Sequence, residues 1–72
     1  MPDWSKDVIS ANVASVAYEE EGARLIVTWR KGARRSVYEG VPEHLALQLA
    51  EAPSVGSMLN AEIKPVFPHH YE

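Results

Sequence analysis

Four of the seven basic residues, Arg30, Lys31, Arg34 and Arg35, fall within six consecutive positions. Cations so concentrated can neutralise the phosphates of a nucleic acid and release its counterions. Lys64 is a further cation that could contribute. Trp29 and Tyr38 flank the cluster, and an aromatic ring beside cations offers a surface on which a base stacks, worth about 1 to 3 kcal/mol per base. The competing reading is an exposed turn made basic for solubility and to block edge pairing. Trp29 alternates with Leu25 and Val27, which predicts a core position for it rather than a stacking platform. A different chemistry is open to Ser10, Asn12, Ser15 and Asn60, whose donors and acceptors suit either a recognition surface or the backbone groups of turns and edges. Gly56, two residues after Ser54, is either a point of close approach for a ligand backbone or a close-packing site against the sheet. Packing is the expected reason.

Other chemistries are excluded or disfavoured. The chain has no cysteine, which removes disulfides, thiolate metal sites and thiol catalysis. The histidines are His44 at a helix start and the adjacent pair His69-His70, whose side chains point apart in an extended segment. No third ligand completes a metal shell, so neither metal nor cofactor is expected. Glu19, Glu20 and Glu21 read as a solvated loop tip. No nucleophile elbow, glycine-rich phosphate loop or zinc-ligand spacing occurs, and the expectation is a protein that is not an enzyme.

The elements that must position these residues follow from periodicity. At 72 residues the chain holds one domain, spanning 1–72, with a small core. Residues 11–18, with Val13, Val16 and Tyr18, read as a first strand. In 24–30 the apolar Leu25, Val27 and Trp29 alternate with the intervening residues, giving the clearest strand. Lys31-Gly32 forms a tight turn, and 33–39 returns as a third strand that sets Tyr38 opposite Leu25, Ile26 opposite Val37, and Arg24 opposite Glu39. Pro42 and Glu43 open a helix over 42–52, with Leu45 and Leu49 facing inward until Pro53 stops it. Ser54 caps a second helix over 55–63, in which Val55, Leu59 and Ile63 recur at every fourth position. The prediction is an α+β fold: a three-stranded antiparallel sheet with two helices on one face.

Ser10, Tyr18-Glu19, the apolar run 25–29, Gly32, Tyr38, Val41-Pro42, Ala52-Pro53-Ser54-Val55-Gly56 and Asn60 with Ile63, Lys64 and Phe67 together resemble the KTSC domain, over about 8–67. That family is named for the C-terminus of some lysyl-tRNA synthetases. The resemblance implies a small α+β module that binds RNA or another macromolecule, and free-standing members look similar to small phage or prophage proteins. Where the family favours a second aromatic in the third strand, this chain has Ser36, and where it favours arginine and tyrosine it has Lys64 and Phe67. Lysine cannot make arginine's bidentate fork to phosphate.

The net charge of −3 disfavours a general polyanion binder and leaves local patches open. No apolar run approaches a membrane span, and Met1-Pro2-Asp3-Trp4 lacks the parts of a signal peptide, so the expected address is the cytoplasm without membrane association. Two partner classes are expected. One is RNA or another nucleic acid, held by Arg30, Lys31, Arg34, Arg35, Lys64 and Tyr38. The other is a host protein, held by Trp4, Phe67 and Tyr71 as apolar anchors.

Overall fold

Alternation of apolar and polar side chains builds the centre of the molecule. A computed structural model describes residues 3–32 and 34–71. The first strand, β1, is Trp4–Asp7, followed by β2 at Val13–Glu19, β3 at Arg24–Trp29 and β4 at Arg35–Tyr38. The expected register between β3 and β4 is found, pairing Leu25 with Tyr38 and Ile26 with Val37. Ala33, where that strand was expected to begin, lies outside the described residues, and β4 starts at Arg35. Gly22 and Gly32 adopt φ of +83° and +75°, which allows both hairpins to turn sharply. In β2 the register shifts between Val13 and Ser15. The extra residue of this bulge explains how Val13 and Val16, three apart, both reach the core.

The sheet has five strands, not three, in the order β1-β2-β3-β4-β5 and antiparallel throughout. The two unforeseen strands are its edges. Strand β1 pairs with β2, setting Trp4 opposite Tyr18. Strand β5, His69–Tyr71, pairs with β4, setting Tyr71 opposite Ser36 and His69 opposite Tyr38. Neither carries an alternating apolar face: Ser5, Lys6 and Asp7 are exposed, as are all three residues of β5. Backbone hydrogen bonds hold them, including the Glu39 N–H to the Pro68 carbonyl at 3.0 Å.

Helix α1 runs Glu43–Ala50, shorter than 42–52 at both ends. Pro42 precedes its first turn in extended conformation, its carbonyl accepting from the N–H groups of Leu45 and Ala46. Ala46 and Leu49 are its fully buried residues, whereas Leu45 is only half-buried. Helix α2, Val55–Met58, passes directly into a π-helical segment, Leu59–Ile63. Val55, Leu59 and Ile63 are buried at the expected spacing. Ser54 makes no capping bond to the backbone, and its hydroxyl donates to Ser57 Oγ at 3.0 Å.

The helices and one sheet face enclose a core that includes Val16, Tyr18, Leu25, Val27, Tyr38, Leu49 and Ile63. Two buried polar groups are satisfied inside it. The Tyr18 hydroxyl donates to the Val41 carbonyl at 2.7 Å, and the Trp29 indole N–H donates to Ser36 Oγ at 2.7 Å. Trp29 thus packs against the core, as its alternation predicts.

Candidate binding site at the basic end of the sheet

Strand register carries most of the strand and turn charges toward opposite ends of the sheet, Arg24 beside Glu39 and Asp7 in the row of Arg35 being the exceptions. The β2–β3 turn, the start of β1, the end of β4 and the start of α1 bring Asp3, Glu19, Glu20, Glu21, Glu39 and Glu43 to one end. The β3–β4 hairpin carries Arg30, Lys31, Arg34 and Arg35 to the other. A net charge of −3 therefore conceals a molecule with one strongly basic end.

At that end the hairpin residues have different surroundings. The Arg30 guanidinium is committed to the protein: Nε donates to the Ser10 carbonyl at 3.1 Å, and Nη2 reaches the carbonyls of Val8 and Val13 at 3.4 Å. Its backbone N–H donates to the Asn12 carbonyl at 2.8 Å. Lys31 and Arg34 are exposed, make no ion pair among the described residues, and line a shallow depression of about 350 Å³ with Gly32. Arg35 is exposed at the start of β4. Lys64 is exposed at the end of the π-helical segment, and no hydrogen bond or ion pair joins it to the hairpin.

Among the aromatics, Tyr38 is only 2% exposed and packs against the His69 ring at 5.1 Å, so it offers no face to a base. Burial, with the nearby Tyr71, raises its phenol above the ordinary value near 10. Trp4 is half-buried, stacked on Tyr18 at 5.9 Å, with its indole N–H donating to Glu43 at 3.3 Å. Phe67 is also half-buried against the core. Tyr71 is the exception, at 67% exposure. It sits across from Ser36, two residues along the chain from Arg34. Sequence reasoning did not bring Tyr71 to the hairpin, because the strand that carries it is short and follows two prolines.

Beside the hairpin lies a cleft of about 360 Å³. Residues 9–12 form one wall, and 53–57 with Asn60 form the other. It gathers Ser10, Asn12, Ser54, Gly56 and Asn60, which are far apart in the chain. Ser10 has a structural duty as well, its Oγ accepting from the N–H groups of Asn12 and Val13 at 3.4 Å. The Asn12 and Asn60 side chains bond to none of the described residues. Close packing does not account for Gly56: a Cβ there would meet nothing within 4 Å, and its φ is not positive. Glycine in a helix costs about 1 kcal/mol relative to alanine, here without a packing return. The π-helical segment that carries Asn60 is a rare geometry found often at functional sites.

The acidic end has a depression of about 480 Å³ lined by Asp3, Glu19, Glu21, Gly22 and Arg24. Asp3 accepts from the Glu20 N–H at 2.5 Å, and Arg24 pairs with Glu39 at 3.3 Å, the facing expected from the register. No group of metal-ligating side chains occurs among the described residues. His69 and His70 point to opposite faces, His70 lying 3.8 Å from Glu39. Burial, followed by the Glu43, Glu20 and Asp3 charges, raises the Tyr18 phenol above its ordinary value near 10. No helix among the described residues is long and apolar enough to cross a membrane.

An antiparallel five-stranded sheet with a helical layer on one face defines a small α+β domain. The chain belongs to the KTSC domain family, whose profile matches residues 9–67. The crystal structure of a KTSC domain protein from Yersinia pestis superimposes with a TM-score of 0.85 at 25% identity, covering 96% of each chain. No curated protein matches the chain.

Proposed function

We propose that the protein is a non-enzymatic binding module of the cytoplasm that holds single-stranded RNA at the basic end of its sheet. The observation that carries this reading is a hairpin bearing exposed, unpaired Lys31 and Arg34, next to an edge strand that bears the exposed ring of Tyr71, at the end of the sheet opposite the glutamates of the β2–β3 turn. Cations supply the phosphate contacts, and the tyrosine supplies a stacking surface that tolerates any base. Arg30 holds the loop beside the hairpin, so its role is to position. A single strand suits one ring and two or three cations better than a duplex, whose bases are already stacked.

The test is a salt titration of binding to a mixed single-stranded RNA pool. Two contacts, from Lys31 and Arg34, give a log–log slope of about −1.4, a loss of about sevenfold in affinity between 50 and 200 mM salt. Replacing Lys31 and Arg34 by alanine removes most of that slope, and Tyr71→Ala weakens binding about tenfold without altering it. Absence of binding at 50 mM salt, or a slope that the double replacement leaves unchanged, refutes the reading. A protein partner then takes its place, with Tyr71 as the anchor, since Trp4 and Phe67 are largely consumed by the core.

A further inference from the structure

We propose that the cleft between residues 9–12 and 53–60 takes one unstacked nucleobase of a strand whose phosphates lie on the hairpin. The proposal rests on the RNA reading and adds to it a site that discriminates between bases. The lining contains no charged side chain, so it suits the neutral part of a nucleotide and not its phosphate. Asn12 and Asn60 present amides with no partner among the described residues. Each carries a donor and an acceptor side by side, the pattern that pairs with a base edge.

Two features supply the faces of the site. Ile9 is 100% exposed, an apolar side chain at the rim with nothing of the protein to cover. Gly56 leaves bare backbone where a Cβ would meet open space, so a flat ring can approach closely there. The cleft is also fixed relative to the cations. Arg30 donates to the Ser10 carbonyl from its side chain and to the Asn12 carbonyl from its backbone, tying one wall of the cleft to the hairpin. That proximity favours a nucleotide over an uncharged peptide, which gains nothing from neighbouring cations.

Fluorescence anisotropy tests this with labelled octamers of A, C, G and U and an abasic ribose-phosphate octamer at 50 mM salt. The variants are Gly56→Leu, which fills the cleft, and Asn60→Ala, an exposed position whose change leaves the fold intact. In the wild type, the best-bound homopolymer binds tenfold or more tightly than the weakest, a discrimination that Tyr71 stacking, which tolerates any base, does not supply. Both variants reduce that difference below threefold, while the abasic affinity and the salt slope stay as they were. Should Gly56→Leu lose its circular dichroism signal, Asn60→Ala decides alone. Equal binding of the four homopolymers, or a preference among them that Asn60→Ala retains, overturns the cleft proposal and leaves the RNA reading standing. Binding of no strand overturns both. So does binding of an unfolded polypeptide such as casein, lost in Asn60→Ala, when no RNA binds, because the cleft is then a peptide site.

Discussion

The two ends of the sheet are built from the same strands and are finished in opposite ways. At the acidic end several groups are answered: Trp4 stacks on Tyr18 and bonds Glu43, Tyr18 bonds the Val41 carbonyl, and Arg24 pairs with Glu39, while the Glu20 and Glu21 carboxylates stay in solvent. At the basic end Arg30 is answered by backbone carbonyls, while Lys31, Arg34 and the Tyr71 ring face solvent. A domain with so small a core secures one end with interactions among its own groups and leaves cations and a tyrosine ring in solvent at the other. On the proposed function, stability and binding fall to different residues.

The largest effect expected from breaking that division is at the core shared by both ends. Leu49 is fully buried, and Leu49→Ala costs about 2 to 5 kcal/mol, comparable with the whole stability of a domain this size. The expected outcome is no cooperative thermal transition above 37 °C. The half-buried Leu45, replaced in the same way, leaves a transition that is lowered but present.

An intermediate effect is expected at the acidic end. Tyr18→Phe removes the donor to the buried Val41 carbonyl and costs about 1 to 3 kcal/mol. The sign of the pH dependence follows from the raised Tyr18 phenol. The folded state holds that proton more tightly than the unfolded chain, so its contribution is intact below pH 10, about the unfolded value, and declines as pH rises from there through the folded pKa. Melting temperatures measured from pH 8 to 11 should therefore fall above about pH 10 in the wild type. In Tyr18→Phe that decline is shallower, and an identical slope in both proteins would remove Tyr18 from the account.

The smallest effects sharpen the contrast within one hairpin. The pair Lys31→Ala and Arg34→Ala changes stability by no more than about 0.5 kcal/mol in urea titration, as expected of exposed cations without partners. Arg30→Ala lowers it by about 1 kcal/mol, because the carbonyls of Val8, Ser10 and Val13 lose their donor. Equal effects from the three cations would mean that the hairpin is not divided between bracing and binding.

The central hairpins are legible in the sequence because each strand buries one face, so period-two alternation and a glycine turn fix their register. The edge strands are not. Ser5, Lys6 and Asp7 are exposed, as are His69, His70 and Tyr71, and both strands lean on backbone pairing that leaves no mark on side-chain pattern. The cationic cluster is visible as a run of letters, but its division is not, since what claims Arg30 is a set of carbonyls twenty positions away. The cleft is hidden for the same reason. Its walls come from residues 9–12 and 53–60, and only the fold makes them neighbours. Gly56 could be singled out in advance, yet the reason first expected, close packing, fails against the open space beside it.

Strand β5 also sets an order of assembly. The β3–β4 pairing closes a short turn, whereas joining β5 to β4 closes the whole stretch between Tyr38 and His69, at a loop entropy cost greater by about 2 kcal/mol. With three exposed residues to repay that cost, β5 docks after both hairpins and the helices have formed, and detaches before they do. By this ordering the hairpin cations take their places before the tyrosine of the edge strand does.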